Sequence, residues 1–168
     1  IEIHDIFSER FCGENGPFSK EWINSSAGMR ALSGLNIPCI DASNDISDAD
    51  NAEKNIDEIR RIIDIAAKVK CPYVRVHAYE NGGEEEAFET SKALIKDVLP
   101  FAEKNGITVL IETIGIFADT SRLRNMLNFF ASDYLGALWD IHHTSRYKNE
   151  DTEVTVQNLG AYIKHVHL

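Results

Sequence analysis

Cysteine is scarce in this chain of 168 residues: Cys12, Cys39 and Cys71 are the only three, and no two stand in CxxC spacing. An odd count without paired spacing argues against a zinc knuckle and against a disulfide scaffold. A reducing, cytoplasmic setting is the simplest expectation. No apolar run reaches the roughly 20 residues needed to span a bilayer, and no basic-then-apolar leader opens the chain, so no membrane partner is expected. Positive charge is short as well. Lys and Arg number 17 against 27 Asp and Glu, for a formal charge of -10. Such a field repels phosphate backbones, and no run of Lys or Arg offsets it, so nucleic acid is not an expected partner. Neither GxGxxG nor GxxxxGK[ST] follows an apolar run, which weakens a nucleotide-binding reading.

What is present is an alternation of short apolar runs with amphipathic stretches. Strand-like runs are expected at 1–6, 37–42, 73–78, 107–112, 135–141 and 163–168. Helical patterns are expected at 19–32, 52–68, 84–104, 119–130 and 154–161. Ile56, Ile59, Ile62, Ile63 and Ala66 recur at three- and four-residue spacing and make the second helix the clearest. Pro100 is expected to bend or divide the third. Six strands separated by helical segments imply parallel pairing with right-handed crossovers, as an open doubly wound sheet or a closed barrel. Polar residues at the ends of several strands favour the barrel, whose chemistry collects at that rim. Both termini fall within strand-like runs, so residues 1–168 are expected to be one barrel domain truncated at both ends.

Glu112 closes the run Val109-Leu110-Ile111-Glu112, and Asp140 closes Leu138-Trp139-Asp140 with His143 three residues on. His167 sits in the last apolar run; Arg75 and His77 share a face of the third. An Asp in an apolar strand needs a partner, and oxygen with imidazole donors suits Mn, Mg, Co, Zn or Fe without choosing among them. The bland readings stand beside this: a strand-end Glu is often solvated, a lone His is often a satisfied core residue, an Arg beside anions can be structural, and Trp139 can line a pocket or only pack. Of His165 and His167, only His167 is expected to point at the site. His142 is expected to be a supporting or surface residue.

The stretches Leu110-Ile111-Glu112-Thr113, Leu138-Trp139-Asp140-Ile141-His142-His143 and Ile163-Lys164-His165-Val166-His167-Leu168 closely resemble the xylose-isomerase-like TIM-barrel superfamily, within it the sugar phosphate isomerase/epimerase branch. The resemblance covers essentially the whole chain and implies a (β/α)8 barrel of which strands two to seven are present. It implies Glu112, Asp140 and His167 as metal ligands and Glu112 also as a catalytic base. It implies His143 as a residue that contacts substrate, or a metal in polynuclear members. A fourth ligand and a second acid or base would lie beyond Leu168. His77, Arg75 and Trp139 complete the expected substrate-binding set. Ala118 stands where some ketose epimerases carry a second Glu, and His77 stands where the family's DNA-repair endonucleases carry an additional metal histidine.

The implied activity is a divalent-metal-dependent isomerisation or epimerisation of a small polyhydroxy carbonyl compound, by proton transfer through an enediolate. The alternatives are a metal-dependent abasic-site endonuclease, a sugar-acid dehydratase or lyase, and a non-catalytic sugar-binding barrel. Self-association is the remaining partner question, because a cut sheet offers unpaired edges.

Overall fold

The computed structural model describes residues 36–168 continuously, together with 5, 6, 9, 10, 19, 21, 22, 25, 28 and 34. Cys12 and most of the expected 19–32 helix lie outside the described residues. Strand β1 (Asp5–Ile6) pairs antiparallel with β2 (Glu9–Arg10). The expected first strand therefore has its described portion in this short ladder and not in the main sheet; residues 1–4 lie outside the described set.

The main sheet is parallel. Its strands β3 (Cys39–Asp45), β4 (Tyr73–His77), β5 (Thr108–Glu112), β6 (Leu135–Asp140) and β7 (Ile163–His167) lie side by side in chain order. Between them run α1 (Ala52–Val69), α2 (Glu84–Asn105), α3 (Thr120–Phe130), α4 (Ile141–Lys148) and α5 (Thr152–Leu159). Each strand-to-strand crossover carries a helix, which is what parallel pairing requires. No helix among the described residues is long and apolar enough to cross a membrane.

The outer face of the sheet is aliphatic. Ile40, Val74, Val76, Val109, Ile111 and Ala137 are buried there with Ile59, Ile63, Leu94, Ile95 and Met126 from the helices. Burying one such Ile or Leu contributes about 1.5–3 kcal/mol, so this layer is the main source of stability. The inner face differs. Cys39, Leu110 and Leu138 form a small apolar floor with Tyr73 packed against it, and above the floor, toward the strand ends, the inward residues become polar. Cys39 and Cys71 are buried.

Several boundaries follow local chemistry. Gly106 ends α2 in the left-handed conformation, φ 67°, and its N–H reaches back to Ala102. Pro100 does not divide α2, which runs unbroken through it. Asp119 caps α3, accepting from the N–H groups of Ser121 and Arg122. Gly115 has φ 59°, and a Cβ there would lie 2.0 Å from the Ala78 carbonyl oxygen; only glycine lets the segment after β5 pass so close to the end of β4. The sequence pattern gave no separate α4. It begins directly after β6, with Asp140 as its N-cap.

Candidate metal centre

Strand register carries three side chains to one place. Asp140 pairs with His167 across β6 and β7, and Glu112 ends the adjacent β5. Ligand atoms of Glu112, Asp140 and His167 all lie within 4.8 Å of one another. His167 Nδ1 is 3.1 Å from Glu112 Oε1.

Glu112 is buried. Burial pushes its carboxyl above the ordinary carboxylate range; the charges of Arg75 and His167 offset part of this, and that of Asp140 reinforces it. Arg75 Nη1 is 3.2 Å from both Glu112 oxygens, while its Nη2 is 2.6 Å from Asp41 Oδ2. Asp41 shows the opposite balance: burial raises it, but Arg75 and the Ser43 hydrogen bonds outweigh burial and hold it below the usual range.

Asp140 is fixed at both its main chain and its side chain. Its N–H donates to Thr113 Oγ1 at 2.8 Å. Its Oδ1 accepts the His143 N–H at 2.9 Å, capping α4. The cap brings a second group together: Asp140, His142 and His143 also offer ligand atoms within 4.8 Å of one another, with His142 exposed. The His143 ring stacks on Tyr147 at 5.1 Å and 19° and faces a cleft of about 370 Å³ that Tyr79, Glu80 and Gly115 also line.

The other expected residues are placed as follows. Arg75 joins the group through Glu112. His77 stands on the same inward face of β4, its ring 4.8 Å from that of Tyr79, and belongs to neither ligand group among the described residues. Trp139 is buried, with Nε1 donating to Thr144 Oγ1 of α4 at 3.1 Å; strand alternation turns it away from the face that carries Asp140. His165 requires a correction. Residues two apart on a strand share a face, and the His165 and His167 rings lie 5.6 Å apart, so both face inward. Thr113 and Asp41, the clamps on Asp140 and Arg75, were not among the expected residues. Asp41 carried a signal, since the rule that singles out an Asp in an apolar strand applies equally to Cys39-Ile40-Asp41.

The donor set fits a divalent cation. Two carboxylates and an imidazole converge from three adjacent strands, and the buried Glu112 lies close enough to Asp140 for their like charges to oppose ionisation. A cation between them relieves that repulsion.

A parallel sheet in βα order whose strand ends gather acids and histidines is the architecture of an α/β barrel with polar groups collected at one rim. The chain belongs to the xylose isomerase-like TIM barrel family, whose model matches residues 7–168. Solved structures agree on the fold. The chain is similar to the 3-keto-D-glucoside 4-epimerase YcjR from E. coli, with 14% identity and a TM-score of 0.74 over 88% of this chain and 65% of that one. It is similar to a D-tagatose 3-epimerase-like protein, with 19% identity and a TM-score of 0.71 over 86% and 62%. It is also similar to the IolI protein with a bound zinc atom, with 16% identity and a TM-score of 0.69 over 88% and 58%. The chain thus spans less than two thirds of the length of these structures. No curated protein matches it significantly.

Proposed function

We propose that this chain carries most of the site of a divalent-metal-dependent isomerase or epimerase acting on a small sugar or related polyhydroxy carbonyl compound. The observation that carries the reading is the convergence of Glu112, Asp140 and His167 at the ends of three neighbouring parallel strands. The epimerase names among the similar structures support the substrate class.

In this reading Glu112, Asp140 and His167 would hold the metal. When bound, the metal supplies Lewis acidity toward adjacent sugar oxygens. Glu112 would abstract the proton on the carbon beside the carbonyl, giving an enediolate. A second acid would return the proton. His143, fixed by its N–H to Asp140 and facing the cleft, contacts substrate hydroxyls. Arg75 orients Glu112, and His77 stands at the same rim. The second group, Asp140 with His142 and His143, is the specific observation that favours a polynuclear phosphodiesterase as the other reading; the charge of -10 opposes it.

The experiment is solvent-deuterium incorporation into a panel of ketoses by the full-length protein that contains this chain, with Mn or Co added. Metal-dependent exchange beside the carbonyl is expected, and Glu112→Gln is expected to abolish it. Interconversion without exchange would point to hydride transfer, and metal-dependent nicking of abasic DNA would promote the endonuclease reading.

A further inference from the structure

The geometry points to Asp41 as a positioning residue that holds the Arg75 guanidinium back from Glu112, and so sets how tightly the Glu112–Asp140–His167 group takes a divalent cation. The inference rests on the metal reading above and adds two residues outside the ligand set. Arg75 sits between two buried carboxylates whose side chains are 1% and 6% exposed. It is shared unevenly: Nη2 reaches Asp41 at 2.6 Å, while Nη1 stands 3.2 Å from each Glu112 oxygen.

A guanidinium keeps its charge and forks onto carboxylates in two parallel hydrogen bonds. Released from Asp41, Arg75 can turn Nη2 as well as Nη1 toward Glu112, whose two oxygens Nη1 already faces at 3.2 Å. It then competes with a cation for the same lone pairs. Asp41 also counts in the charge balance. Within this group Asp41 offsets the Arg75 charge, so removing both leaves the charge of Glu112 and Asp140 unopposed for a divalent cation. Asp41 itself is well anchored. Its Oδ1 accepts the Ser43 N–H at 2.7 Å, and its Oδ2 accepts the Ser43 hydroxyl at 2.9 Å. Ser43 has φ 51°, so the carboxylate stabilises a left-handed residue inside β3.

Asp41→Asn separates the two roles. The amide retains an oxygen acceptor for the Ser43 N–H but loses the charge that holds Arg75. Manganese binding by the full-length protein, read by calorimetric titration, is the test. Asp41→Asn is expected to weaken the Kd by roughly 10–100-fold, the range for partners that support metal ligands. The double variant Asp41→Asn/Arg75→Met removes the competing cation together with its anchor, and its Kd is expected to return to within about threefold of wild type, since the local charge balance is restored. Circular dichroism verifies folding, and Arg75→Gln replaces Arg75→Met in the double variant if the methionine does not fold. A residue that merely supports the turn at Ser43 would give a lower Tm with an unchanged Kd, or a double variant no better than the single. Either result overturns the inference. Failure of the wild-type protein to bind manganese rejects the metal reading itself and the restraint with it.

Discussion

Two three-residue groups share Asp140, and they are built differently. Glu112, Asp140 and His167 come from three strands, so their separation is set by sheet register and by the packing of the whole α/β layer. Asp140, His142 and His143 come from four consecutive positions at the start of α4, so their proximity follows from one helix cap. The first group includes a buried carboxylate; the second includes an exposed histidine. Proximity that costs long-range order to create, around a charge that is costly to bury, marks the better candidate for a cation. Proximity arising within one helical turn is common and carries less information.

The strongest way to break this comparison is Asp140→Ala, which removes the shared member. Metal binding by the full-length protein is expected to weaken by more than about 100-fold, beyond the range for an outer partner. Loss of the α4 cap is expected to cost about 1 kcal/mol separately. Asp140→Asn resolves the two effects, because Asn caps as well as Asp: its thermal midpoint in chelator should stay near wild type while metal affinity is lost. Unchanged metal content in Asp140→Ala would reject the ligand role.

Glu112→Gln sharpens the contrast through pH. A carboxyl whose folded pKa is raised binds its proton more readily folded than unfolded, so it favours the folded state at low pH. That contribution is lost as pH rises from the unfolded value of about 4.3 through the raised folded value. Glu112 is such a group. In chelator, the midpoint of Glu112→Gln relative to wild type is therefore expected to improve between pH 4 and pH 8, and saturating metal should reverse the order. A difference that does not vary with pH would mean that Arg75 and His167 fully offset burial.

Much of this site was legible in the sequence, and the failures have physical causes. Glu112, Asp140 and His167 stood out as polar groups in or at the end of apolar runs, a pattern that survives without coordinates because burying a charge needs a reason. The order and type of the main-sheet elements were legible from periodicity. The α4 helix was not, because Ile141–Lys148 buries only Thr144 and so carries no apolar periodicity. Only Asp140, as a cap, marks the change. The inward placement of His165 follows from alternation alone, since residues two apart on a strand share a face. Arg75 as the bridge between Asp41 and Glu112 was hidden, because strand pairing across 37 residues of sequence separation decides which anions it meets. The Ile1–Ile6 run shows the opposite failure: apolar character does not say which sheet a strand joins, and Asp5–Ile6 pairs with Glu9–Arg10.

A smaller effect is expected from Trp139→Phe. The indole N–H to Thr144 lies on the far side of β6 from the ligands, so the cost is a lost buried hydrogen bond, about 0.5–1.5 kcal/mol, with metal affinity unchanged. A shift in substrate KM without a stability change would instead restore Trp139 to the substrate-binding set.

The smallest effect is expected from His142→Ala, and it tests the second group most directly. The His142 ring is exposed and meets the His143 and Tyr147 rings edge-on at 5.7 and 6.2 Å. Among the described residues no buried contact fixes its rotamer in the way that Glu112 fixes the His167 ring, so ligation by His142 would require ordering an exposed side chain. Asp140 is already committed at Oδ1 to the His143 N–H. The substitution should therefore shift stability by less than about 0.5 kcal/mol, as exposed positions usually do, and leave metal stoichiometry and Kd unchanged. Atomic-emission metal counting on wild type and variant reads this directly. A fall from two bound metals to one would show that the exposed group holds a cation of its own. It would erase the distinction between the two groups and shift the functional reading toward polynuclear phosphodiester chemistry.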